Sequence, residues 1–358
     1  MKKFNVGIVG YGWAASAHIA AINAGALGQV TAVCSSRRLD AAEMSAKHGC
    51  PIKTYSDYAA MLADPDIHVV SICSFHRHHR DQILAAARAG KHMIIEKPLA
   101  LSLADLREVE RAIRAAGVKV CVCFEMRFAA QFREIKSLLD RGLLGKLHYG
   151  EVDYYHGIGP WYAGFSWYSK AQDGVSSLML AGCHAMDALL LCMCGDVEEV
   201  FGYSTRSANP AFAPFEFPST TVAMLKFKDG RIGKVASVLD CFQPYYFHTH
   251  LVGSEGTVLD DKFAGLDKQW TKLSYKPVDS GDVSDHPYEE QFNSFFAALA
   301  RGEEMTLTGL RDAVRTHEVI FAADRSWQEK RPVKMAEISN ADTPVREATA
   351  RTGVSALR

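Results

Sequence analysis

The stretch FNVGIVGYGWAA, residues 4–15, decides how this chain is read. Phe4–Val9 is an apolar run of strand length. Gly10-Tyr11-Gly12-Trp13-Ala14-Ala15 then fits the spacing G-x-G-x-x-G/A, and a helical stretch, Ala14–Ala24, follows. The glycine pattern is weak by itself, but between a strand and a helix it marks a dinucleotide-binding turn. The first glycine permits a tight turn and the second lets backbone approach a pyrophosphate. Ala15 lets the helix pack closely on the strand, and the helix N-terminus faces the phosphates. Two lysines ahead and Ala15-Ser16-Ala17 behind imitate an export signal. The phase of the glycines favours a first strand that starts at once.

Outward from that turn, strand and helix alternate. Val30–Cys34, His68–Cys73 and His92–Ile95 are short apolar runs, and Asp81–Ala89 and Leu103–Ala116 are helical, stopped by Gly90 and Gly117. Val118–Phe124 returns as a strand. This alternation predicts a doubly wound α/β Rossmann domain with a parallel sheet over residues 1–124. The texture then changes. Ala129–Arg141 reads as a helix, Lys146–His156 alternates like a half-buried strand, and Ser176–Cys194 is an apolar helix. Glu198–Ser204, Thr220–Lys228 and Arg231–Leu239 read as strands, the last two joined at Asp229-Gly230, a hairpin signal. His248–Gly253 and Thr257–Asp260 continue the pattern. Residues 125–335 are thus expected to form an α+β domain with an antiparallel or mixed sheet. Its closing helices, within 286–328, pack back toward the first domain, and 336–358 form a polar tail.

The length of 358 residues exceeds the ~250–300 at which single cores stop growing, in keeping with two domains. With 40 Lys+Arg against 41 Asp+Glu, a nucleic-acid binder acting through a basic surface is excluded. A local basic pocket is not. Nine cysteines form no C-x-x-C, and both C-x-C pairs sit in apolar runs, which reads as reduced thiols in a cytoplasmic protein. Leu178–Gly195 has the length of a membrane span, but it carries His184 and Asp187, costly in lipid, and reads as a buried helix.

Three further constellations carry chemistry. The end of the second strand reads Cys34-Ser35-Ser36-Arg37-Arg38, with no acid before Asp40. An acid there would bond a ribose 2′-hydroxyl, whereas arginines with small hydroxyls suit a 2′-phosphate, so NADP(H) is favoured over NAD(H). Glu96-Lys97-Pro98 ends a parallel strand, in the crevice where such folds bind ligands, and Lys97 is a candidate general acid/base. Pro98 is a candidate cis proline. His184 and Asp187 lie three apart on one helical face, so Asp187 is expected to orient the imidazole. His76-Arg77-His78-His79 lacks an acid or cysteine partner at ligand spacing, and no metal is expected.

These segments, with AGKHMIIEKPLALS, SICSFHRHH, MRF at Met126–Phe128, AGCHAMD and LVGSEGTV, resemble the Gfo/Idh/MocA family over roughly residues 4–335. The resemblance implies an open-faced C-terminal sheet used in a homodimer or homotetramer. It implies that Gly10, Gly12, Trp13 and the adjoining Ala14 bind the dinucleotide, and that Ser74 and His79 lie over it. Glu96 would sit near the nicotinamide ribose, Arg127 would line the cofactor cleft, Lys97 would be the acid/base, and His184 would meet the reacting hydroxyl. The family's D-x-G-x-H-x-x-D pattern here has Leu180 at its first position. His156, Trp161, Tyr168 and Lys170 belong to a stretch rich in aromatics, suited to stacking on a sugar and offering it a charge. The expected activity is NAD(P)-dependent hydride transfer to or from a CH–OH carbon of a sugar or polyol. The alternative is an NAD-dependent glycosidase of the same family, working by transient oxidation and elimination.

Overall fold

The structure, a computed structural model, describes residues 3–276, 278 and 285–339. Six parallel strands form the first sheet: β1 Phe4–Val9, β2 Gly28–Cys34, β3 Lys53–Tyr55, β4 Val69–Ile72, β5 His92–Ile95 and β6 Val120–Val122. Their order is β3-β2-β1-β4-β5-β6, so the chain reverses direction across the sheet between β1 and β4. Ligands of doubly wound folds bind at that reversal, beyond the carboxyl ends of the strands. Local chemistry sets the helix ends. Asp40 accepts the N–H groups of Ala42 and Glu43 to start the helix Ala41–His48. Ser102 accepts the N–H of Asp105 to start Leu103–Ala116, and Gly117 stops it at φ +65°.

The second sheet has nine strands: β7 Leu147–Tyr155, β8 Val197–Thr205, β9 Thr220–Phe227, β10 Ile232–Val238, β11 Tyr246–Gly253, β12 Thr257–Leu259, β13 Lys262–Ala264, β14 Thr271–Lys272 and β15 Val333–Lys334. The order is β14-β13-β12-β11-β7-β10-β9-β8-β15, antiparallel except for the parallel pair β7–β10. Gly230, at φ +87°, supplies the turn between β9 and β10. One face is covered by a wide helical turn, Leu178–Gly182, running into the helix Cys183–Met193. Gly182 lets this layer sit close: a Cβ there would lie 2.4 Å from the Ser237 Cβ. The segment Ala171–Met193 is apolar and long enough to cross a membrane, and its most apolar window is 89% buried within the fold.

The two closing helices part company. Tyr288–Ala300 lies against the helix Trp13–Ala24 of the first sheet, burying Phe292 and Phe296 with Ile19 and Ile22. Phe296 fills the space a side chain at position 28 would need: a Cβ on Gly28 would lie 2.5 Å from its ring. Leu310–Glu329 packs chiefly on β8 and the helix Cys183–Met193. The expected polar tail begins later than residue 336. Met335–Ser339 is a short helix that buries Ile338, because β15 has already tied the chain to the edge strand β8. Residues 340–358 of that expected tail lie outside the described residues.

Candidate active site

A cleft of about 1390 Å³ opens beyond the carboxyl ends of β1, β2, β4 and β5. Gly10, Gly12, Trp13 and Ala14 line one wall, followed by Ser35, Ser36 and Arg37 after β2, Ser74 after β4, and Glu96 and Lys97 after β5. His156, Trp161, Tyr162, Tyr168 and Tyr245 complete it from the second half of the chain. Gly10 takes φ +85°, and a Cβ there would lie 2.6 Å from the Ser74 backbone. Gly12 is different: a Cβ on it would meet nothing within 4 Å. It precedes a helix with no side-chain cap and no acid in its first turn, which leaves N–H groups for an anion. These residues fit a dinucleotide.

Lys97 precedes a cis peptide to Pro98, and its Nζ donates to the Leu180 carbonyl at 2.8 Å. Leu180 lies within the wide turn Leu178–Gly182, whose hydrogen bonding is that of a π-helix. Such turns collect at functional sites. Glu96 Oε1 lies 2.9 Å from His18 Nε2 and accepts the Tyr288 hydroxyl at 3.0 Å. Burial opposes the charge on Glu96, yet bonding to His18 holds it down at about 2. His156 Nδ1 lies 3.0 Å from the Tyr154 hydroxyl, and burial with nearby Lys97 lowers it to about 4. It contacts Tyr162 and Tyr245 edge-on, with ring centroids 5.5 Å and 5.3 Å away. Trp167 and Tyr168 stack at 3.9 Å.

Several expected positions fall elsewhere. Asp187 does not face His184. Its carboxylate accepts Arg127 Nε at 2.6 Å and Nη2 at 2.8 Å, and the Thr316 hydroxyl at 2.8 Å. A guanidinium fork matches a carboxylate better than an imidazole three residues back on the same helix does. Arg127 is consumed in that buried pair and does not line the cleft. His79 is buried, its ring nitrogens 2.7 Å from the Pro98 carbonyl and 3.1 Å from that of Ser74, so it braces two loops from behind. Arg38 is exposed beside the cleft lining, and Lys170 pairs with Glu216 at 2.8 Å, outside it. His184 is buried, with Nδ1 3.7 Å from Glu125 Oε1.

Other groups had no signal in the pattern. Asp173 accepts the backbone N–H of Arg77 and pairs with its guanidinium, and its own carbonyl faces His76 Nδ1 at 2.7 Å. The loop after β4 is thereby fastened to the second half of the chain. Val175 follows at φ +63°, ψ −59°, with Ser176 N–H donating to Gly174 O at 2.7 Å. That is the strained form of the γ-turn, unusual for a β-branched residue. Among the described residues, His18, Glu96 and Cys123 cluster as a metal site would, but His18 and Glu96 are bonded to each other.

Family models match two blocks. An oxidoreductase-family model with an NAD-binding Rossmann fold covers residues 4–124, and a GFO/IDH/MocA C-terminal domain covers 132–259. The chain belongs to the Gfo/Idh/MocA oxidoreductase family. Among curated relatives, myo-inositol 2-dehydrogenase of Thermotoga maritima is 27% identical, over 83% of this chain and 88% of that protein. Levoglucosan dehydrogenase of Pseudarthrobacter phenanthrenivorans is 24% identical, over 91% of this chain and 98% of that protein. A solved scyllo-inositol dehydrogenase of Lactobacillus casei, with NAD(H) and scyllo-inositol, superposes with a TM-score of 0.77 at 18% identity, covering 94% of this chain and 100% of that one. Like its relatives, this Gfo/Idh/MocA protein is an NAD(P)-dependent oxidoreductase acting on CH–OH groups.

Proposed function

We propose that the protein oxidises a ring or chain hydroxyl of a sugar, sugar derivative or polyol, or reduces the matching ketone, with Lys97 moving the proton and NADP(H) preferred. The observation that carries the proposal is Lys97: its ammonium is oriented by the Leu180 carbonyl at the floor of the cleft that the glycine turn opens. A bound nicotinamide supplies the hydride chemistry. Lys97 takes the hydroxyl proton during oxidation and returns it during reduction, and His184 meets the same oxygen. Trp161 and Tyr168 offer flat apolar faces to a sugar ring, and His156, held neutral, offers it a hydrogen bond. The dehydrogenase relatives favour net redox chemistry over glycoside cleavage.

Preference for NADP(H) is supported at the end of β2. Ser35, Ser36 and Arg37 line the cleft there, while Asp40 has both its N–H contacts inside its own helix. Free thiols at all nine cysteines support a reducing, cytoplasmic setting. Tyr203, Met224, Ile232 and Tyr246 are exposed on one face of the second sheet, which supports a homodimer or homotetramer formed through it. The test is spectral. Purified protein with NAD⁺ or NADP⁺ and a panel of sugars, inositols and glycosides should raise absorbance at the reduced-nicotinamide band. No turnover on any of them overturns the reading. Arg37→Ala should raise KM for NADP⁺ about tenfold and leave that for NAD⁺ within about twofold. Equal effects on both would remove the NADP preference.

A further inference from the structure

We propose that Glu125 is a positioning residue for His184, holding the imidazole through Nδ1 and so fixing which ring nitrogen carries the proton. The inference deepens the function above, on which the meeting of His184 with the reacting hydroxyl rests. Glu125 opens the short helical turn Glu125–Phe128 after β6 and is 2% exposed, and His184 is 7% exposed. Among the described residues, three buried side-chain nitrogen or oxygen atoms lack a hydrogen-bond partner, and they include Glu125 Oε2 and His184 Nδ1. Buried polar groups are rarely left orphaned, and each exception calls for an account. Here two exceptions are neighbours, Oε1 of the one standing 3.7 Å from Nδ1 of the other. At 3.7 Å the two are not yet hydrogen-bonded, and the pairing needs them to draw together.

The surroundings decide the proton count. Glu96 and Lys97 face Glu125 from the end of β5, His18 from the first helix, Cys121 from β6 and Cys123 from just after it. Cys183 faces it from the helix of His184, Tyr245 from the loop before β11, and Tyr288 from the closing helix. Lys97, Glu96 and His286 act on His184. Burial and the charge of Glu96 push the Glu125 carboxyl up to about 8. Burial and Lys97 hold His184 well below the usual imidazole range. At neutral pH the carboxyl O–H therefore donates to Nδ1, and the ring carries its proton on Nε2. When the pair loses one proton, the ring proton resides on Nδ1 and donates to the carboxylate, leaving Nε2 as an acceptor. Glu125 thus selects the tautomer that meets the substrate.

Nitrogen NMR of the ¹⁵N-histidine-labelled full chain reads this without turnover, with the His184 signals assigned by their loss in His184→Gln. The wild-type signals should shift with a midpoint at about 8, and those of Glu125→Gln should stay fixed over the same range. In the same variant, whose amide N–H can donate to Nδ1 as the neutral carboxyl does, kcat near neutral pH, KM and NADP⁺ affinity should stay within about threefold while kcat loses its alkaline limb, and Glu125→Ala, with no donor, should lower kcat about tenfold. His184 signals that do not titrate in the wild type, or identical titrations and pH profiles in the two proteins, overturn the proposal. The midpoint itself is read on the wild-type protein, and a variant serves only to assign the signals. Signals that follow Glu125 in a protein that turns over no sugar or polyol would uphold this coupling and reject the proposed function.

Discussion

Lys97 is the residue on which the proposed chemistry turns. Its ammonium touches a main-chain carbonyl, an acceptor that a change at the Leu180 side chain leaves in place. Lys97→Ala should lower kcat/KM by about 10²–10⁴, the range of a lost general acid/base, with NADP⁺ affinity held within about threefold. Steady-state kinetics beside a fluorescence titration checks both. Lys97 was legible in the sequence because Glu96-Lys97-Pro98 ends a strand, and strand ends meet at the ligand crevice. Asp187 was misread for a general reason. Spacing along a helix says which side chains share a face, but not what a distant segment presents to that face. The fork of Arg127, from just after β6, reaches Asp187 first. Glu125 stayed hidden because a carboxylate between Phe124 and Met126 reads as a loop residue until its burial is known.

At the scale of elements, the Arg127–Asp187–Thr316 contact clasps three of them: the turn Glu125–Phe128 and the helices Cys183–Met193 and Leu310–Glu329. Asp187→Ala leaves a buried guanidinium without its partner and should cost about 3–5 kcal/mol, read as a lower denaturation midpoint with an unchanged denaturant slope. A loss below about 1 kcal/mol would mean that Asp312, 3.6 Å from Arg127, takes over. Long elements were readable nearly to the residue. Leu103–Ala116 lies where periodicity and its stop signal put it. Ala41–His48, β3 and Tyr58–Ala63 were missed, being short and mostly polar or small. The π-helical turn Leu178–Gly182 was read as ordinary helix. A segment apolar on every side carries no phase from which a change of pitch could be noticed.

Across the whole molecule, His18 and Glu96 join the first helix, the end of β5 and, through Tyr288, a closing helix. Burial opposes both charges. Even so, Cys73 and Glu96 carry His18 from 6.5 up to about 10, and His18 takes Glu96 from 4.5 down to about 2. The Glu96 contribution to stability is present above its ordinary 4.5 and lost as pH falls toward 2. The His18 contribution is present below 6.5 and lost as pH rises toward 10. The pair therefore stabilises most between 4.5 and 6.5. The difference in melting temperature between wild type and His18→Gln should peak in that window and shrink on both sides. A difference independent of pH would refute it. The first sheet's order was legible from strand–helix alternation. That of the second was not, since β7 pairs in parallel with β10 across a long insertion and β13, β14 and β15 are too short to announce themselves. Phe296, lodged where Gly28 has no side chain, has a consequence for synthesis. The half of the protein translated first has to wait for a late segment: until residues 288–300 emerge, the nascent chain shows Ile19 and Ile22 to water. A truncation before residue 288 would release a sticky fragment rather than a smaller dehydrogenase.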